Sequence, residues 1–245
     1  MAYCVPAVEL CLYCRQQPKH VDKCGKLGDF CSKTCRDTVR DAAPMILEVP
    51  YGSQEFLRVF SLFRAGWRHP LAEKPFRGDV MKVFKVYSHR DHMHKFKKYS
   101  HDKGNTVELW HGTSRLCGIG NTSGDTRFCG HPKCALCSIL KNSFRVDMAK
   151  KSRQSFQRFG SGIYTSSTSS KAADYAKQRI PGPESLILSE VTLGRICVPT
   201  HKDTTLTDAP RGFDSVVGQP NLTVNYDEAV VYKNRAIRPK YLVTF

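Results

Sequence analysis

The chain has 245 residues, of which 40% are hydrophobic, enough for one large domain and a small appendage. Its 38 basic and 22 acidic side chains give a formal charge of +16, which favours polyanionic partners such as nucleic acid or phosphorylated ligands. No apolar run reaches the roughly 18 residues of a membrane span, and the N-terminus lacks the pattern of a secretory signal.

The cysteine content points to an intracellular protein that binds metal. Eleven cysteines are present, and most of them fall in two tight clusters. A chain without a secretory signal is expected in a reducing compartment, the nucleus or the cytoplasm, where clustered cysteines bind metal rather than form disulfides. We expect no membrane partner.

Residues 1–40 are predicted to form a small zinc-binding module. Two short cysteine pairs, C-x2-C and C-x3-C, are separated by sixteen residues, and four thiolates complete a tetrahedral zinc site. Few apolar residues lie here, so the metal would supply the folding free energy. Free thiols are the alternative, and Cys24 or His20 could replace a ligand. The predicted ligands are Cys11, Cys14, Cys31 and Cys35.

Residues 41–79 are predicted to be a helical segment followed by a linker. Ser53 is a plausible helix cap, because aromatic residues follow it at helical spacing, among them Phe56, Phe60 and Phe63. Prolines interrupt the pattern on the N-terminal side of this helix. The proline- and glycine-containing stretch 68–79 predicts the linker.

The next segment predicts a strand, a basic helix and a second strand. Residues 80–87 are rich in β-formers, and residues 104–113 form a turn and an apolar strand that delivers His111 to a cleft. Four histidines lie among lysines between these strands. Their spacing does not place three of them on one helical face, which favours a solvated basic helix able to contact a polyanion. They are His89, His92, His94 and His101.

A second four-cysteine cluster lies in residues 117–137. It contains another C-x2-C pair, and the spacing predicts a zinc site that holds a long insertion in order. Buried loop thiols are the alternative, and His131 is a spare candidate ligand. The predicted ligands are Cys117, Cys129, Cys134 and Cys137.

The stretch from Gly160 to Tyr175 combines close-approach glycines with two tyrosines. Gly160 and Gly162 would let the backbone approach something flat or bulky. Tyr164 and Tyr175 lie on either side of a Ser/Thr-rich turn and could sandwich an aromatic ring, although core packing is the alternative. A helix over 169–179, capped by Ser169 or Ser170, is predicted to follow the turn.

Three more strands are predicted at 185–193, 227–232 and 240–245, with a loop from 194 through 218. Glu228 interrupts the apolar pattern of the second of these strands. A carboxylate there is costly unless it has a function or a partner, and an outward-facing position is the alternative.

Three motifs follow one another in the order His-Gly-Thr, Gly-Ile-Tyr with Ser-Lys-x-x-x-Tyr, and Tyr-x-Glu-x-Val-Val-Tyr. With the final strand, they resemble the catalytic domain of PARP-type (diphtheria-toxin-like) ADP-ribosyltransferases over residues 80–245. The whole chain is also similar to uncharacterised fungal PARP-domain proteins with an N-terminal zinc knuckle. The resemblance implies an α+β fold of two packed, mainly antiparallel sheets with flanking helices.

The resemblance also implies an NAD-dependent mechanism. The expected triad is His111, Tyr164 and Glu228. The histidine would bind the adenine-side ribose, the backbone of Gly112 the nicotinamide amide, and Glu228 the nicotinamide-ribose hydroxyl. The two tyrosines would stack on the nicotinamide. The expected NAD-binding set is His111, Gly112, Thr113, Tyr164, Ser170 and Tyr175.

The chain departs from the family pattern at Ala172, where a serine often binds the nicotinamide amide. Ser170 or Ser169 is predicted to substitute. We expect mono-ADP-ribosyl transfer to a protein or nucleic-acid acceptor. The alternatives are an NAD or ADP-ribose binder with weak catalysis and a non-enzymatic zinc protein that binds nucleic acid. The second cysteine cluster lies between the histidine and tyrosine motifs, so it is predicted to border the donor cleft.

Overall fold

The computed structural model describes residues 8–70, 80–151 and 157–245, with no side-chain detail for 149–151. In these ranges no helix has the length and apolar character needed to cross a membrane. The helices are α1 (Lys33–Ala42), α2 (Gln54–Ala65), α3 (Arg90–Lys103), α4 (Ala135–Asn142), α5 (Val146–Lys151) and α6 (Ser169–Ala173). The strands are β1 (Met45–Val49), β2 (Lys82–Tyr87), β3 (Thr106–Gly112), β4 (Ile163–Thr165), β5 (Ser185–Thr192), β6 (Ile196–Cys197), β7 (Ser215–Gly218), β8 (Glu228–Val231) and β9 (Ile237–Thr244).

These strands form two sheets within the described residues. The five-stranded sheet has the order β1-β2-β9-β5-β3 and is antiparallel throughout. The four-stranded sheet has the order β4-β8-β7-β6, in which only the β6–β7 pair is parallel. This confirms the predicted α+β class with two mainly antiparallel sheets.

The five-stranded sheet separates two apolar cores. Side chains alternate between the faces of a strand, and β5 shows this directly. Leu186 and Leu188 pack with α2 and α6, whereas Ile187 and Val191 face α3, α4 and the second sheet. The sheet is therefore buried on both faces, and its strands form a rigid support for loops at their ends.

One backbone contact joins the two sheets. Trp110 on β3 and Ser166, just after β4, exchange N–H···O bonds of 2.8 and 3.0 Å. His111 follows Trp110 and Tyr164 precedes this bridge by two residues. The bridge therefore brings the histidine and tyrosine motifs side by side.

Several predicted elements are confirmed. The strands near 82–87, 106–112, 185–192, 228–231 and 237–244 are present, as is the basic helix α3. Ser53 caps α2, because its hydroxyl oxygen accepts a bond from the backbone N–H of Phe56 at 3.2 Å.

Other predictions were wrong. Residues 45–49 form strand β1, which pairs with β2, so the helical assignment of 41–79 fails there and the boundary at residue 80 divides a strand pair. Pro44 and Pro50, which interrupt the helical pattern in the sequence, flank this strand. Residues 215–218 form β7 within the predicted loop. Helix α6 ends at Ala173 and has Thr168 as its N-cap. Residues 71–79 of the predicted linker lie outside the described residues.

The N-terminal module contacts the five-stranded sheet through Asp29. The carboxylate accepts bonds from Lys85 Nζ at 2.6 Å and from the Tyr87 hydroxyl at 3.0 Å, both on β2. Glu9 joins the module to the start of α2, since its carboxylate accepts from the backbone N–H of Gln54 at 3.0 Å.

Candidate active site and metal centres

The predicted catalytic residues and most of the predicted NAD-binding residues surround one cavity of about 500 Å³. It lies between the end of β3, helix α4, strand β4, helix α6 and the start of β8. The predicted residues that line it are His111, Gly112, Thr113, Tyr164, Tyr175 and Glu228. The triad predicted from three separate motifs therefore shares one pocket.

His111 lies near the end of β3, where its ring is held from two sides. Its Nδ1 donates to the Tyr164 carbonyl oxygen at 2.9 Å, because a carbonyl can only accept. The Phe144 ring packs against it in a T-shaped arrangement, with centroids 5.0 Å apart. Burial lowers the pKa of His111 below its usual range. The imidazole is therefore neutral near pH 7, and Nε2 is left as an acceptor.

The Tyr164 ring is fixed by its hydroxyl. The hydroxyl donates to the Gly160 carbonyl oxygen and accepts from the Phe159 N–H, both at 2.9 Å. Burial raises the pKa of the Tyr164 hydroxyl, so the phenol stays neutral. Tyr175, which follows α6, is 37% exposed and lines the same cavity. Tyr164 thus presents a fixed aromatic surface to the cavity, and Tyr175 presents a more solvent-accessible one.

Glu228 is a buried carboxylate at the start of β8, with only 4% of its surface exposed. Lys171 Nζ lies 2.7 Å from Oε1, and Arg158 Nη1 lies 3.5 Å from the same oxygen. Oε2 is buried and has no hydrogen-bond partner among the described residues. One oxygen is therefore held by a cation, and the other is available to accept from a ligand.

Lys171 connects Glu228 to the backbone around it. Its Nζ also donates to the carbonyl oxygens of Tyr226 and Asp227, at 2.9 and 3.3 Å. Burial lowers the pKa of Lys171, and the carboxylate of Glu228 opposes this shift. The lysine thus orients the carboxylate on which the predicted chemistry depends.

Asp227 explains the Ser/Thr-rich turn. Its carboxylate accepts from the Ser166 hydroxyl at 3.0 Å, the Ser167 N–H at 2.6 Å and hydroxyl at 3.0 Å, and the Thr168 hydroxyl at 2.9 Å. The turn therefore binds the start of β8 instead of capping α6 with Ser169 or Ser170.

Gly112 lies where β3 and α6 touch. A Cβ atom built on Gly112 would lie 1.8 Å from the Ala172 carbonyl oxygen, so only glycine fits. The two glycines predicted to allow a close approach of the backbone, Gly160 and Gly162, lie against protein atoms. A Cβ on Gly160 would meet the Leu206 carbonyl oxygen at 1.9 Å, and one on Gly162 would meet Val230 Cγ1 at 2.3 Å.

Ser170 is the predicted site residue that the structure places elsewhere. It is fully buried, and its hydroxyl oxygen accepts from the backbone N–H groups of Arg68 and His69 at 3.0 and 3.2 Å. Ser169 likewise bonds the Phe63 carbonyl oxygen at 2.6 Å. This contradicts the prediction that either serine substitutes for the residue at Ala172, which itself lines the cavity.

The first cysteine cluster has the geometry of a four-thiolate site. The sulfur atoms of Cys11, Cys14, Cys31 and Cys35 all lie within 4.8 Å of one another. Cys31 Sγ lies 3.7 Å from the sulfurs of both Cys14 and Cys35. A zinc tetrahedron with bonds of about 2.3 Å has edges of about 3.8 Å. Backbone N–H groups, first that of Gln16, lower the pKa of Cys14 to about 6, which favours the thiolate.

The second cluster brings together Cys117, Cys129, Cys134 and Cys137 in the same way. The Leu116 N–H donates to Cys134 Sγ and the Cys129 N–H to Cys137 Sγ, both at 3.4 Å. The donor sets of both clusters fit zinc. The spare candidates His131 and Cys24 are exposed and lie outside these sets.

The second cluster borders the cavity, as its place in the sequence predicts. Cys134 precedes α4 and Cys137 lies in its first turn, while Ala135, Ser138 and Ile139 of the same region line the cavity. The opposite end of the cluster is attached to the segment after β3, where Cys117 is found. The four thiols therefore lie where two walls of one pocket meet.

Comparison with known proteins identifies the domain. The model of the poly(ADP-ribose) polymerase catalytic domain matches residues 124–224. The chain contains a PARP-type catalytic domain. The matched segment includes both tyrosines of the site but neither His111 nor Glu228. The assignment of these two residues to the same site rests on the cavity, which they line together with the tyrosines.

Two named relatives are similar over more than half of the chain. Protein mono-ADP-ribosyltransferase PARP4 of Homo sapiens is 30% identical over 174 residues, which are 68% of this chain and 9% of that protein. Protein mono-ADP-ribosyltransferase PARP3 of Gallus gallus is 28% identical over 135 residues, 55% of this chain and 19% of that protein. The chain thus spans less than a fifth of the length of these relatives.

The sequence analysis did not identify three residues that contact the site in the PARP domain: Lys171, Asp227 and Arg158. Lys171 belongs to the Ser-Lys motif, and a lysine between small residues was the available signal. Asp227 and Arg158 carried none, because their contacts with the site come from the packing of distant segments.

Proposed function

We propose that the chain is an NAD-dependent ADP-ribosyltransferase that cleaves the nicotinamide–ribose bond and transfers ADP-ribose to an acceptor. One observation supports this most directly. Glu228 is buried in the cavity of His111 and Tyr164, with Oε1 held by Lys171 and Oε2 without a hydrogen-bond partner among the described residues. A buried carboxylate oxygen of this kind needs a donor, and a ribose hydroxyl supplies one.

The remaining residues of the cavity fit the rest of the dinucleotide. Neutral His111 offers Nε2 as an acceptor for a hydroxyl of the adenine-side ribose. The rings of Tyr164 and Tyr175 offer flat surfaces for the nicotinamide, and the backbone of Gly112 borders the cavity free of any side chain. Bound in this way, the substrate is oriented before reaction, which lowers the entropic part of the barrier.

The chemistry requires stabilisation of positive charge rather than a strong acid. When the bond from ribose to nicotinamide breaks, its electrons neutralise the ring nitrogen and the ribosyl carbon becomes cationic. The Glu228 carboxylate, prepositioned by Lys171, stabilises that charge in a site with little water. The acceptor nucleophile then bonds to the carbon and loses its proton to solvent.

We propose mono-ADP-ribosyl transfer with a protein acceptor. Two relatives carry the name protein mono-ADP-ribosyltransferase, which motivates both parts of this proposal. We also propose a reducing intracellular compartment, nuclear or cytoplasmic, since eight thiols form two sets suited to metal.

We propose structural zinc at both cysteine clusters. Four thiolates would bind each ion, and the metal would supply cross-links between distant chain segments and no chemistry in the transfer reaction. In the first cluster the cross-link would order the N-terminal module. In the second it would join helix α4 to the segment after β3.

A transfer assay tests the proposed function. The purified 245-residue chain is incubated with labelled NAD, and both free nicotinamide and labelled acceptor are measured. Glu228→Gln should lower the rate by about 100-fold or more, because a neutral amide cannot stabilise the cation. Glu184→Gln, an exposed carboxylate outside the cavity, is the matched control and should retain full activity. Wild-type protein that releases no nicotinamide would exclude the proposal.

A nucleic-acid-binding function is the second candidate. Lys95, Lys97 and Lys98 are exposed on α3, and the chain has a net charge of +16. Binding of DNA or RNA through these lysines should weaken steeply with salt and weaken again after charge reversal at all three. Affinity that is unchanged between low and moderate salt would exclude it.

A further inference from the structure

The segment after α2, predicted as part of a linker, packs against the turn and helix behind the cavity. A Cβ on Gly66 would lie 2.7 Å from the Ser167 carbonyl oxygen and 2.9 Å from the Ser169 nitrogen. Two backbone N–H groups of this segment donate to the Ser170 hydroxyl oxygen. Residues 66–69 therefore support α6 from the side opposite the cavity.

His69 makes three contacts in this support. Its Nδ1 lies 2.7 Å from the Ser170 hydroxyl oxygen, and its Nε2 lies 3.5 Å from Asp174 Oδ2. Its ring stacks on Tyr226 with centroids 4.3 Å apart and planes inclined by 31°. The Ser170 hydroxyl oxygen also accepts two N–H bonds, and a His69 tautomer whose Nδ1 accepts from this hydroxyl and whose Nε2–H points towards Asp174 is compatible with all of these contacts.

These three contacts lie on both sides of the Lys171–Glu228 pair. Ser170 precedes Lys171 on α6 and Asp174 follows the last residue of that helix, while Tyr226 lies two residues before Glu228. The Tyr226 carbonyl oxygen also accepts from Lys171 Nζ at 2.9 Å. His69 therefore ties the helix that carries the cation to the segment that carries the carboxylate.

A serine, a histidine and an aspartate in contact resemble a hydrolase triad, but they cannot act as one here. Ser170 is fully buried, so no substrate reaches its hydroxyl. The hydroxyl oxygen accepts two backbone N–H bonds, which occupy the lone pairs that a nucleophile needs. The arrangement serves to hold chain segments together.

We propose that His69 is a positioning residue for the transfer reaction, fixing Lys171 and Glu228 relative to one another from behind the cavity. The proposal rests on the proposed ADP-ribosyltransferase function. His69 is not among the residues that line the cavity, so it acts through the pair and not on the substrate. Displacements near 1 Å in an active site cost up to about 100-fold in rate.

The expected effect is therefore on turnover. His69→Ala should lower kcat by about tenfold and leave KM for NAD within about twofold. Arg68→Ala is the matched control, because Arg68 reaches Ser170 through its backbone N–H, which alanine keeps. His69→Asn, whose side-chain oxygen can accept from Ser170, should recover part of the lost kcat.

A double-mutant cycle separates positioning from general destabilisation. With Lys171→Ala already present, adding His69→Ala should change kcat by less than about twofold, since the pair no longer exists. Equal losses in both backgrounds, a change in KM alone, or an unaltered kcat in His69→Ala would each overturn the proposal while the transferase function stands. An inactive wild type would overturn the proposed function itself, and this inference with it.

Discussion

The two cysteine clusters have the same chemistry in different surroundings. The first lies in a module of few buried apolar residues, among them Leu12 and Val39. The second lies within a large core, where Cys134 and Cys137 pack with Leu136 and Leu140. Identical donor sets therefore do different work. With zinc bound as proposed, the first set would substitute for a missing core, while the second would shape a cavity in a domain that has its own core.

The largest expected difference is in folding. Cys35→Ser should cost the first cluster the zinc proposed for it, and zinc binding contributes on the order of 10 kcal/mol in small zinc modules. We expect residues 8–43 to become susceptible to protease while kcat/KM for NAD stays within about threefold. Limited proteolysis, zinc analysis and a transfer assay check this. A large loss of transfer would mean that the first cluster also supports the cavity.

The next expected effect is on substrate affinity. Cys129→Ser should release one zinc ion and let the α4 wall move away from the segment after β3. KM for NAD should then rise about tenfold, as positioning of the dinucleotide is lost. Cys129 lies in a loop and is half-buried, so its substitution perturbs the core less than a change at buried Cys134 or Cys137 would. Cys35→Ser serves as the control. Equal KM values for NAD in the two variants would contradict the claim that only the second cluster shapes the cavity.

The smallest expected effect is on pH dependence. Burial, with Phe144 against the ring, holds the pKa of His111 below its usual value of about 6.5. Protonation turns the Nε2 acceptor into a donor, so kcat/KM should fall only at pH values below that figure. Cys129→Ser should shift this acid-side fall of kcat/KM to higher pH, and Cys35→Ser should leave its midpoint unchanged. His111→Gln should abolish this fall, and a fall that persists would assign it to another group.

Local spacing and ordered motifs carried much of the sequence prediction. The structure brings together both cysteine sets as the C-x2-C and C-x3-C spacings predict, because such pairs are short-range features. The cavity likewise gathers the residues named by three motifs. Strand β1 was missed because its pairing with β2 is a tertiary contact between segments that no local pattern connects.

The parts that sequence could not supply depend on contacts between distant segments. His69 and Ser170 are 101 residues apart, and Arg158 and Glu228 are 70 apart. Ser170 was assigned to the nucleotide from its motif, yet the packing of residues 68–69 turns its hydroxyl elsewhere. Motifs indicate which residues matter, whereas the direction of each side chain follows from the fold.

A crystal structure with a non-hydrolysable NAD analogue tests the central claim most directly. We predict that the nicotinamide-ribose hydroxyl donates to Glu228 Oε2, with Lys171 still on Oε1 and the nicotinamide between Tyr164 and Tyr175. An analogue bound outside this cavity, or bound within it with Glu228 Oε2 out of hydrogen-bond reach of the ribose, would contradict the account.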